Sequence, residues 1–277
     1  MTARILFVSS LLSVLLQAAS HKHPNVIFVL ADDLGIGDVS PTNPDCKIKT
    51  PHLQKMADEG ITFMDAHSSS AVCTPTRYGV LTGRYNWRSR LARGVLSGTS
   101  EHLIPAERAT VGHLLQNAGY HTQMIGKWHL GWDWAKADKS EKKWKDIDFT
   151  KPVKNGPDIN GFTHYYGHCG SLDMPPYVWV DTGKVTALPD REEGVDRTED
   201  PYGWYREGPI GPDFKIDQVL PHLFEKSVAY IKERAKKKKP FFLYLPLPAP
   251  HTPIVPVPPY KGASKMNPYA DFMMQVD

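Results

Sequence analysis

Two continuous apolar runs, one near each end of the chain, constrain the fold more than any other feature of the sequence. Residues 25–31 read NVIFVLA and residues 240–247 read PFFLYLPL. Runs of this kind, rich in β-branched and aromatic side chains and without polar alternation, are typical of strands buried on both faces of a parallel sheet. We therefore expect both runs to form buried strands of one sheet.

Segments with helical caps or helical periodicity alternate with further strand-like runs. Thr50 and Pro51 give the cap-then-proline order that opens a helix, and Gly60 closes it. Thr110 opens another helix that ends at Gly119. We also predict strands at residues 61–66 and 120–126. A short helix is predicted at residues 76–82, with Thr74 or Pro75 at its start, and another helix begins at residues 267–277. A longer amphipathic helix is predicted from the spacing of its apolar positions, which are Phe224, Val228, Ile231 and Ala235.

The order strand, helix, strand, helix predicts an α/β domain with a mostly parallel central sheet flanked by helices. Residues 132–215 are rich in Trp, Gly and Pro, and we expect long surface excursions there rather than regular layers. The Pro-rich stretch 246–259 is predicted to be a loop. The chain has 277 residues, enough for one large domain, which we place at residues 21–277.

The first twenty residues have the pattern of an export signal. Arg4 is followed by the apolar stretch ILFVSSLLSVLLQAA, which is short for a bilayer span, and then by Ser20. We interpret residues 1–20 as a cleaved signal peptide, with an uncleaved membrane anchor as the alternative. A secreted or periplasmic protein is therefore expected, and no other segment is long and apolar enough for a stable membrane span.

Charge and cysteine content limit the partners and the compartment. The net charge of +3 is small for this length and does not indicate a nucleic-acid partner. Three cysteines, Cys46, Cys73 and Cys169, are an odd number for an oxidising compartment. Cys46 and Cys169 either pair or both stay free. Cys73 is then the odd thiol, and such a thiol is shielded or chemically used.

Reactive side chains follow each of four predicted strands. They are, in chain order, Asp32 and Asp33, then Cys73, then Lys127 and His129, and last His251. Each has an ordinary explanation taken alone, such as turn formation by adjacent aspartates. In open α/β sheets, however, the ligand site lies beyond the carboxyl ends of the strands, so all of these groups should meet at one rim. The paired carboxylates are hard oxygen ligands that suit Mg²⁺ or Ca²⁺.

The residues around Cys73 carry the most specific signal. Residues 71–84 read AVCTPTRYGVLTGR. The stretch resembles the signature of the formylglycine-dependent sulfatases of the alkaline phosphatase superfamily, in which Cys, any residue, Pro, a small residue and Arg precede Leu-Thr-Gly-Arg. The matching positions are Cys73, Pro75, Thr76, Arg77, Leu81, Thr82, Gly83 and Arg84. The resemblance continues through NVIFVLADDLG, GKWHLG, GSLDMPPY and PHTP in the family's order.

The resemblance implies an alkaline-phosphatase-like sulfatase domain that hydrolyses sulfate esters, as arylsulfatases do. A maturation enzyme would oxidise Cys73 to a formylglycine aldehyde. The hydrated aldehyde would attack the sulfur, expel the alcohol and release sulfate as the aldehyde reforms. The substrate would be a sulfated carbohydrate or an aryl sulfate.

The resemblance also implies the cation and its ligands. Asp32, Asp33 and the hydroxyl derived from Cys73 would bind Ca²⁺, with Mg²⁺ as the alternative. The cation would acidify the hydroxyl and hold a sulfate oxygen. Arg77 would steady the hydroxylated side chain.

Four further residues match positions that act on the sulfate group. Lys127 would neutralise charge on the sulfate oxygens. His129 would take the proton of the second hydroxyl, and His251 would bind sulfate or protonate the leaving alcohol. Ser171 lies where the family has a sulfate-contacting hydroxyl.

The chain departs from the family pattern after His251. The family has a later strand followed by an Asp-Asn pair that completes the metal shell, and a further Lys that contacts sulfate, but residues 260–277 offer neither in that context. We therefore expect an N-terminal portion of a longer enzyme, truncated at the C-terminus and weakly active or inactive alone. Two alternatives remain: a phosphate or phosphonate ester hydrolase with the same nucleophile, and a non-catalytic relative that binds sulfated glycans with Cys73 unmodified.

Overall fold

A computed structural model describes residues 23–137 and 144–277 of the protein. The expected signal peptide, residues 1–20, lies outside the described residues. Among the helices that are described, none has both the length and the apolar character required to cross a membrane.

The described residues form α-helices and β-strands in the order expected of an α/β domain. The helices are α1 (Pro51–Glu59), α2 (Cys73–Thr82), α3 (Val111–Asn117), α4 (Val219–Arg234) and α5 (Pro268–Val276). The strands are β1 (Val26–Asp32), β2 (His121–Lys127), β3 (His164–His168), β4 (Val180–Asp181), β5 (Lys184–Val185), β6 (Arg191–Val195), β7 (Tyr205–Ile210) and β8 (Phe241–Pro250).

The central sheet has the strand order β1-β8-β2-β3-β4-β5, and β6 pairs with β7 separately. Strands β1, β8, β2 and β3 are parallel, whereas β4 and β5 are antiparallel additions. Helices α4 and α5 pack on β8, and α3 packs on β2. The prediction of a mostly parallel sheet flanked by helices is confirmed.

Strand β8 is the second apolar run, and it lies between β1 and β2. All of its residues are buried, as predicted. It extends through Pro250, so the prediction that residues 246–250 belong to a loop is wrong. A proline lacks a backbone N–H, but the pairing of β8 with β2 ends at Tyr244, and its register with β1 shifts between Leu30 and Asp32. The prolines therefore remove little from the ladder.

Strand β1 is the first apolar run, but the described structure leaves it at the edge of the sheet. Ile27, Phe28 and Val29 are 45%, 40% and 52% exposed, so the prediction of burial on both faces is wrong. Helix α1, which was predicted correctly, buries none of its residues against the strand. An apolar run indicates a strand but does not say which neighbours cover it.

Residues 61–66 do not form the predicted strand. Ile61, Phe63 and Met64 are 79%, 74% and 57% exposed. A strand is stabilised by backbone hydrogen bonds to a partner and by packing of its side chains. Within residues 23–137 and 144–277, no strand lies alongside this segment, so its apolar pattern alone does not produce one.

Residues 132–215 contain more regular structure than predicted. Strand β3 joins the central sheet, with Gln123–Lys127 of β2 opposite His164–His168. Its sequence, HYYGH, lacks the aliphatic run on which the other strand predictions rested. Aromatic side chains of this region also build the core, namely Trp132, Phe162, Tyr165, Tyr177 and Trp179. The expectation of surface excursions alone is therefore wrong here.

Helix α2 begins at Cys73, three residues before the predicted start, so Thr74 and Pro75 lie in its first turn. Proline is tolerated there because the first N–H groups of a helix have no intrahelical acceptor. Gly83 ends the helix in the left-handed conformation, with φ of 65°.

Helix α4 is present as predicted, but its buried face is rotated. Val219, Leu220, Leu223 and Ser227 are its buried residues. Val228 and Ala235 are exposed, so two of the four predicted apolar positions do not face the core.

Replacing Leu223 by Ala should lower the free energy of unfolding by about 2–5 kcal/mol, because it leaves a cavity at a fully buried position. Leu114→Ala in α3 is the matched control, since Leu114 is 65% exposed, and it should change the unfolding free energy by less than about 0.5 kcal/mol. Urea unfolding measures both. Equal losses in the two variants would contradict the assigned core.

Candidate active site

The carboxyl ends of β1, β2 and β8 bring the sequence-predicted residues together. Asp32 ends β1, Lys127 ends β2, and His251 follows β8 directly. Lys127 Nζ donates to the Asp32 carboxylate, and Arg77 Nη2 from α2 lies 3.4 Å from Asp32 Oδ1. The rim that the strand order predicts therefore exists as a cluster of buried charges.

Asp32 is the centre of this cluster. Its burial by itself raises the pKa of the carboxyl group, but the charges of Lys127 and Arg77 outweigh that effect and hold the pKa well below its usual range. The carboxylate is consequently ionised at neutral pH although it is almost fully buried.

Arg77 joins three elements of the fold at the site. Its Nη1 donates to the Lys127 carbonyl oxygen at 2.6 Å, and its Nη2 donates to the Leu247 carbonyl oxygen at 3.0 Å. The buried guanidinium thus fixes the first turns of α2, which include Cys73, against β2 and β8.

Lys127 and His251 are connected through Ser171. Lys127 Nζ donates to Ser171 Oγ at 3.0 Å, and Ser171 Oγ lies 3.3 Å from His251 Nδ1. His251 Nδ1 also lies 2.6 Å from the Thr252 carbonyl oxygen, to which it donates. This bond leaves His251 Nε2 facing Asp33, whose Oδ2 is 3.7 Å away.

Asp33 differs from its neighbour in exposure and in pKa. It is half-exposed and has a φ of 62°, in the left-handed region that few residues other than glycine adopt. Partial burial and the adjacent charge of Asp32 raise the pKa of its carboxyl group.

Cys73 is a buried free thiol at the first residue of α2. Burial raises the pKa of the thiol, an effect that the nearby Lys127 charge opposes. The thiol is therefore protonated at neutral pH and is a poor nucleophile as it stands. Cys46 and Cys169 are also free, so the described structure contains no Cys46–Cys169 pair.

Cys73 and both aspartates line a cavity of about 280 Å³ together with Arg77, Ser68 and residues 70–72. A larger cavity of about 740 Å³ lies beside β6 and β7 and contains none of the predicted site residues. The smaller cavity is the candidate active site because four of the sequence-predicted site residues line it, namely Asp32, Asp33, Cys73 and Arg77.

His129 is fully buried and has a φ of 52°, so its backbone is also left-handed. Its Nε2 donates to the Leu96 carbonyl oxygen at 2.7 Å. Burial, reinforced by the Lys127 charge, holds the pKa of the imidazole well below its usual range. Nδ1 has no hydrogen-bond partner, so the neutral ring keeps a free lone pair in the protein interior.

Sequence reasoning missed two buried polar residues beside these groups. Thr74 occupies the variable position of the signature, where no residue type is required, and its hydroxyl bonds to the His129 carbonyl oxygen. His168 ends β3 opposite Lys127, and its Nδ1 donates to the Gly170 carbonyl oxygen at 2.9 Å. No motif signals His168, because β3 itself was not predicted.

The donors present match part of a cation shell. Asp32 and Asp33 are adjacent carboxylates, and the pKa of Asp33 is raised by partial burial and by the charge of Asp32, both of which a bound cation would offset. Among residues 23–137 and 144–277, however, no three His, Cys, Asp or Glu side chains are grouped as a metal ion requires. The described residues therefore do not form a complete metal centre.

The fold and the site together define an alkaline-phosphatase-like α/β protein. The buried cations at the carboxyl ends of its strands and the start of a helix suit an anionic group.

The family model described as Sulfatase matches residues 24–277, and the chain therefore belongs to the sulfatase family. N-acetylgalactosamine-6-O-sulfatase of Bacteroides thetaiotaomicron is 29% identical and aligns with 92% of this chain and 54% of its own length. Arylsulfatase G of Canis lupus familiaris is 30% identical, with coverages of 84% and 41%. The chain spans about half the length of the curated relatives it matches.

The fold is shared with a solved structure from work on glycosaminoglycan metabolism by Bacteroides thetaiotaomicron. The TM-score is 0.76 at 29% sequence identity, and the alignment covers 92% of this chain and 57% of that chain. The expectation of an N-terminal sulfatase portion agrees with these coverages.

Replacing Asp32 by Asn should lower the free energy of unfolding by about 3–5 kcal/mol, because it leaves Lys127 and Arg77 buried without their shared counter-charge. Asp33→Asn is the control and should lower the free energy of unfolding far less, since the Asp33 side chain is half-exposed and the charge of Asp32 repels it. Both should be measured by urea unfolding in the presence of a chelator. A larger loss for the Asp33 variant would contradict the assignment.

Stability should fall with acid partly because of His168, whose pKa is lowered to about 3 by burial and by the charge of Lys127. An unfolded histidine titrates near about 6.5, so between these values only the unfolded state gains the proton. The stabilisation is thus complete above about pH 6.5 and is lost as the pH falls towards 3.

The His168→Gln variant should flatten the dependence of unfolding free energy on pH between about 6 and 4 by about 1.4 kcal/mol per pH unit. An unaltered slope in the His168 variant would show that its imidazole is not buried in the neutral form.

Proposed function

We propose that this protein hydrolyses sulfate esters of carbohydrates through a formylglycine made from Cys73. The observation that carries the proposal is the complete signature of residues 73–84 at the start of α2, with Cys73 buried beside a cluster of buried cations. Membership of the sulfatase family supports the reaction class.

A formylglycine supplies a hydrated aldehyde, which can attack sulfur and later eliminate sulfate, a reaction that a thiol with a raised pKa does not offer. The buried Lys127 ammonium and Ser171 hydroxyl would bind the sulfate oxygens. Both groups are buried, so little water screens their interaction with an anion and that interaction is strong. Arg77 would hold α2, and with it residue 73, against the sheet.

The two histidines would move protons at different atoms. His129 is neutral, and its Nδ1 is without a hydrogen-bond partner, which suits a general base. His251 is held by the Thr252 carbonyl oxygen at Nδ1, so its Nε2 is the atom that would donate to the leaving alcohol.

Asp32 and Asp33 would provide two carboxylates for a divalent cation, Ca²⁺ or Mg²⁺, which would stabilise negative charge on the sulfate group. A Ca²⁺ shell takes about six to eight oxygens, and among the described residues no group of three or more His, Cys, Asp or Glu side chains is placed to hold a metal ion.

The proposed substrate is a sulfated amino sugar of a glycosaminoglycan. Support comes from the relative named N-acetylgalactosamine-6-O-sulfatase and from the glycosaminoglycan context of the solved structure with TM-score 0.76. Export through residues 1–20 and conversion of Cys73 by a maturation enzyme complete the proposal.

Replacing Cys73 by Ala should abolish hydrolysis of an aryl sulfate by protein co-expressed with a formylglycine-generating enzyme, because alanine cannot become an aldehyde. The Cys46→Ala variant is the control, since Cys46 lies outside the candidate active site, and it should retain the rate.

Peptide mass spectrometry of the unsubstituted protein should show residue 73 about 18 Da lighter than cysteine, from loss of H₂S and gain of oxygen. An unmodified thiol in protein that still hydrolyses the ester would contradict the proposed nucleophile. Retained turnover in Cys73→Ala would do the same.

A further inference from the structure

Thr74 takes part in a closed ring of hydrogen bonds with His129 and Leu96. The Thr74 hydroxyl donates to the His129 carbonyl oxygen at 2.9 Å and accepts from the Leu96 N–H at 3.1 Å. The Leu96 carbonyl oxygen accepts from His129 Nε2 at 2.7 Å. The hydroxyl next to residue 73 thus bonds to the backbone of His129 directly and is connected to its imidazole ring through one residue, Leu96.

All members of the ring are buried, so water does not compete for these bonds. Thr74 and His129 have no measurable exposure, and Leu96 is buried as well. A buried N–H or C=O group that loses its partner costs about 1–3 kcal/mol. Leu96 is therefore anchored on both sides of its Cα: its N–H bonds to Thr74, and its carbonyl oxygen, which belongs to the next peptide group, bonds to His129 Nε2.

The ring also supports a backbone conformation that is unfavourable by itself. His129 has a φ of 52°, which costs a residue other than glycine about 1–2 kcal/mol. The Thr74 hydroxyl fixes the carbonyl side of His129, while the His129 N–H donates to the Cys169 carbonyl oxygen at 2.7 Å. These two bonds hold the residue on either side of its strained torsion.

Other threonine hydroxyls of α2 make local bonds instead. Thr82 donates to the Tyr78 carbonyl oxygen one turn earlier, and Thr76 donates to the Ser70 carbonyl oxygen. The helix is capped by Val72 without a side-chain bond, so Thr74 does not serve as a cap. Its bonds to His129 and Leu96 are long-range connections that the helix does not need for its own formation.

We propose that Thr74 is a positioning residue that fixes the tautomer and orientation of His129, keeping Nε2 protonated against the Leu96 carbonyl oxygen and Nδ1 free. The expected effect of Thr74 on catalysis rests on the proposed function, whereas its effect on the tautomer of His129 does not. Loss of the hydroxyl removes the acceptor of the Leu96 N–H, so the backbone torsions of Leu96 can change and move its carbonyl oxygen away from His129 Nε2. The ring can then also adopt the tautomer that is protonated at Nδ1. In that tautomer, Nδ1 no longer has the lone pair that a general base requires.

The test is the ¹⁵N spectrum of the histidine rings in the full chain, with the His129 signals assigned by their loss in His129→Gln. Unsubstituted protein and Thr74→Ser should show one tautomer, protonated at Nε2. In Thr74→Val, which keeps the shape but lacks the hydroxyl, the two ring signals should move towards each other because both tautomers are populated. Thr74→Ala gives the same test in case the Val variant does not fold.

Thr122→Val is the matched control. Thr122 is also fully buried, and its hydroxyl bonds to the Thr163 hydroxyl and accepts from the Thr163 N–H, both at 3.0 Å and away from His129. It should leave the His129 signals unchanged. Unchanged signals in Thr74→Val, or an Nδ1-protonated ring in the unsubstituted protein, would overturn the inference.

Turnover separates this inference from the proposed function. In protein with equal formylglycine content, Thr74→Val should lower kcat about 10-fold or more with little change in KM, and Thr74→Ser should restore it. A kcat unaffected by Thr74→Val would refute the catalytic meaning of the ring. Absence of turnover in the formylglycine-containing enzyme of full length would refute the proposed function, while the tautomer result would still decide the role of Thr74.

Discussion

The contact on which the rest of the site depends is the buried carboxylate of Asp32, shared by Lys127 and Arg77. Two cations placed this close together in the interior repel each other, and a single anion between them makes their burial tolerable. The same guanidinium binds carbonyl oxygens of β2 and β8, so the charge cluster and the attachment of α2 to the sheet are one structure. Residue 73 is positioned as a consequence.

Burial assigns a charge state to each group in the site. Asp32 stays ionised because its cations outweigh the effect of desolvation, whereas His129, which desolvation and the Lys127 charge both affect, stays neutral. The Cys73 thiol is kept protonated. The site thus contains fixed positive charge, a neutral base and an unreactive thiol at the start of a helix. This combination suits a nucleophile that is made by modifying the thiol.

Much of this arrangement follows from the sequence. Strands β1 and β8 are predicted from their apolar runs and β2 from the segment at residues 120–126, and the rim residues Asp32, Lys127 and His251 follow from where these three strands end. The run at residues 61–66 was wrongly predicted as a strand because pairing depends on neighbours that a local pattern does not contain. The missed β3 and the ring through Thr74 depend on aromatic packing and on long-range hydrogen bonds, which leave no periodic signal in the sequence.

We propose that the buried cations and the modified residue 73 form a sulfate-binding site. A crystal structure of the formylglycine-containing protein soaked with a slowly hydrolysed sulfate ester tests it most directly. The account predicts the sulfate group within hydrogen-bond distance of Lys127 Nζ and Ser171 Oγ, with its sulfur facing the side chain of residue 73. A sulfate group bound elsewhere, with Lys127 still closed on Asp32, would contradict it.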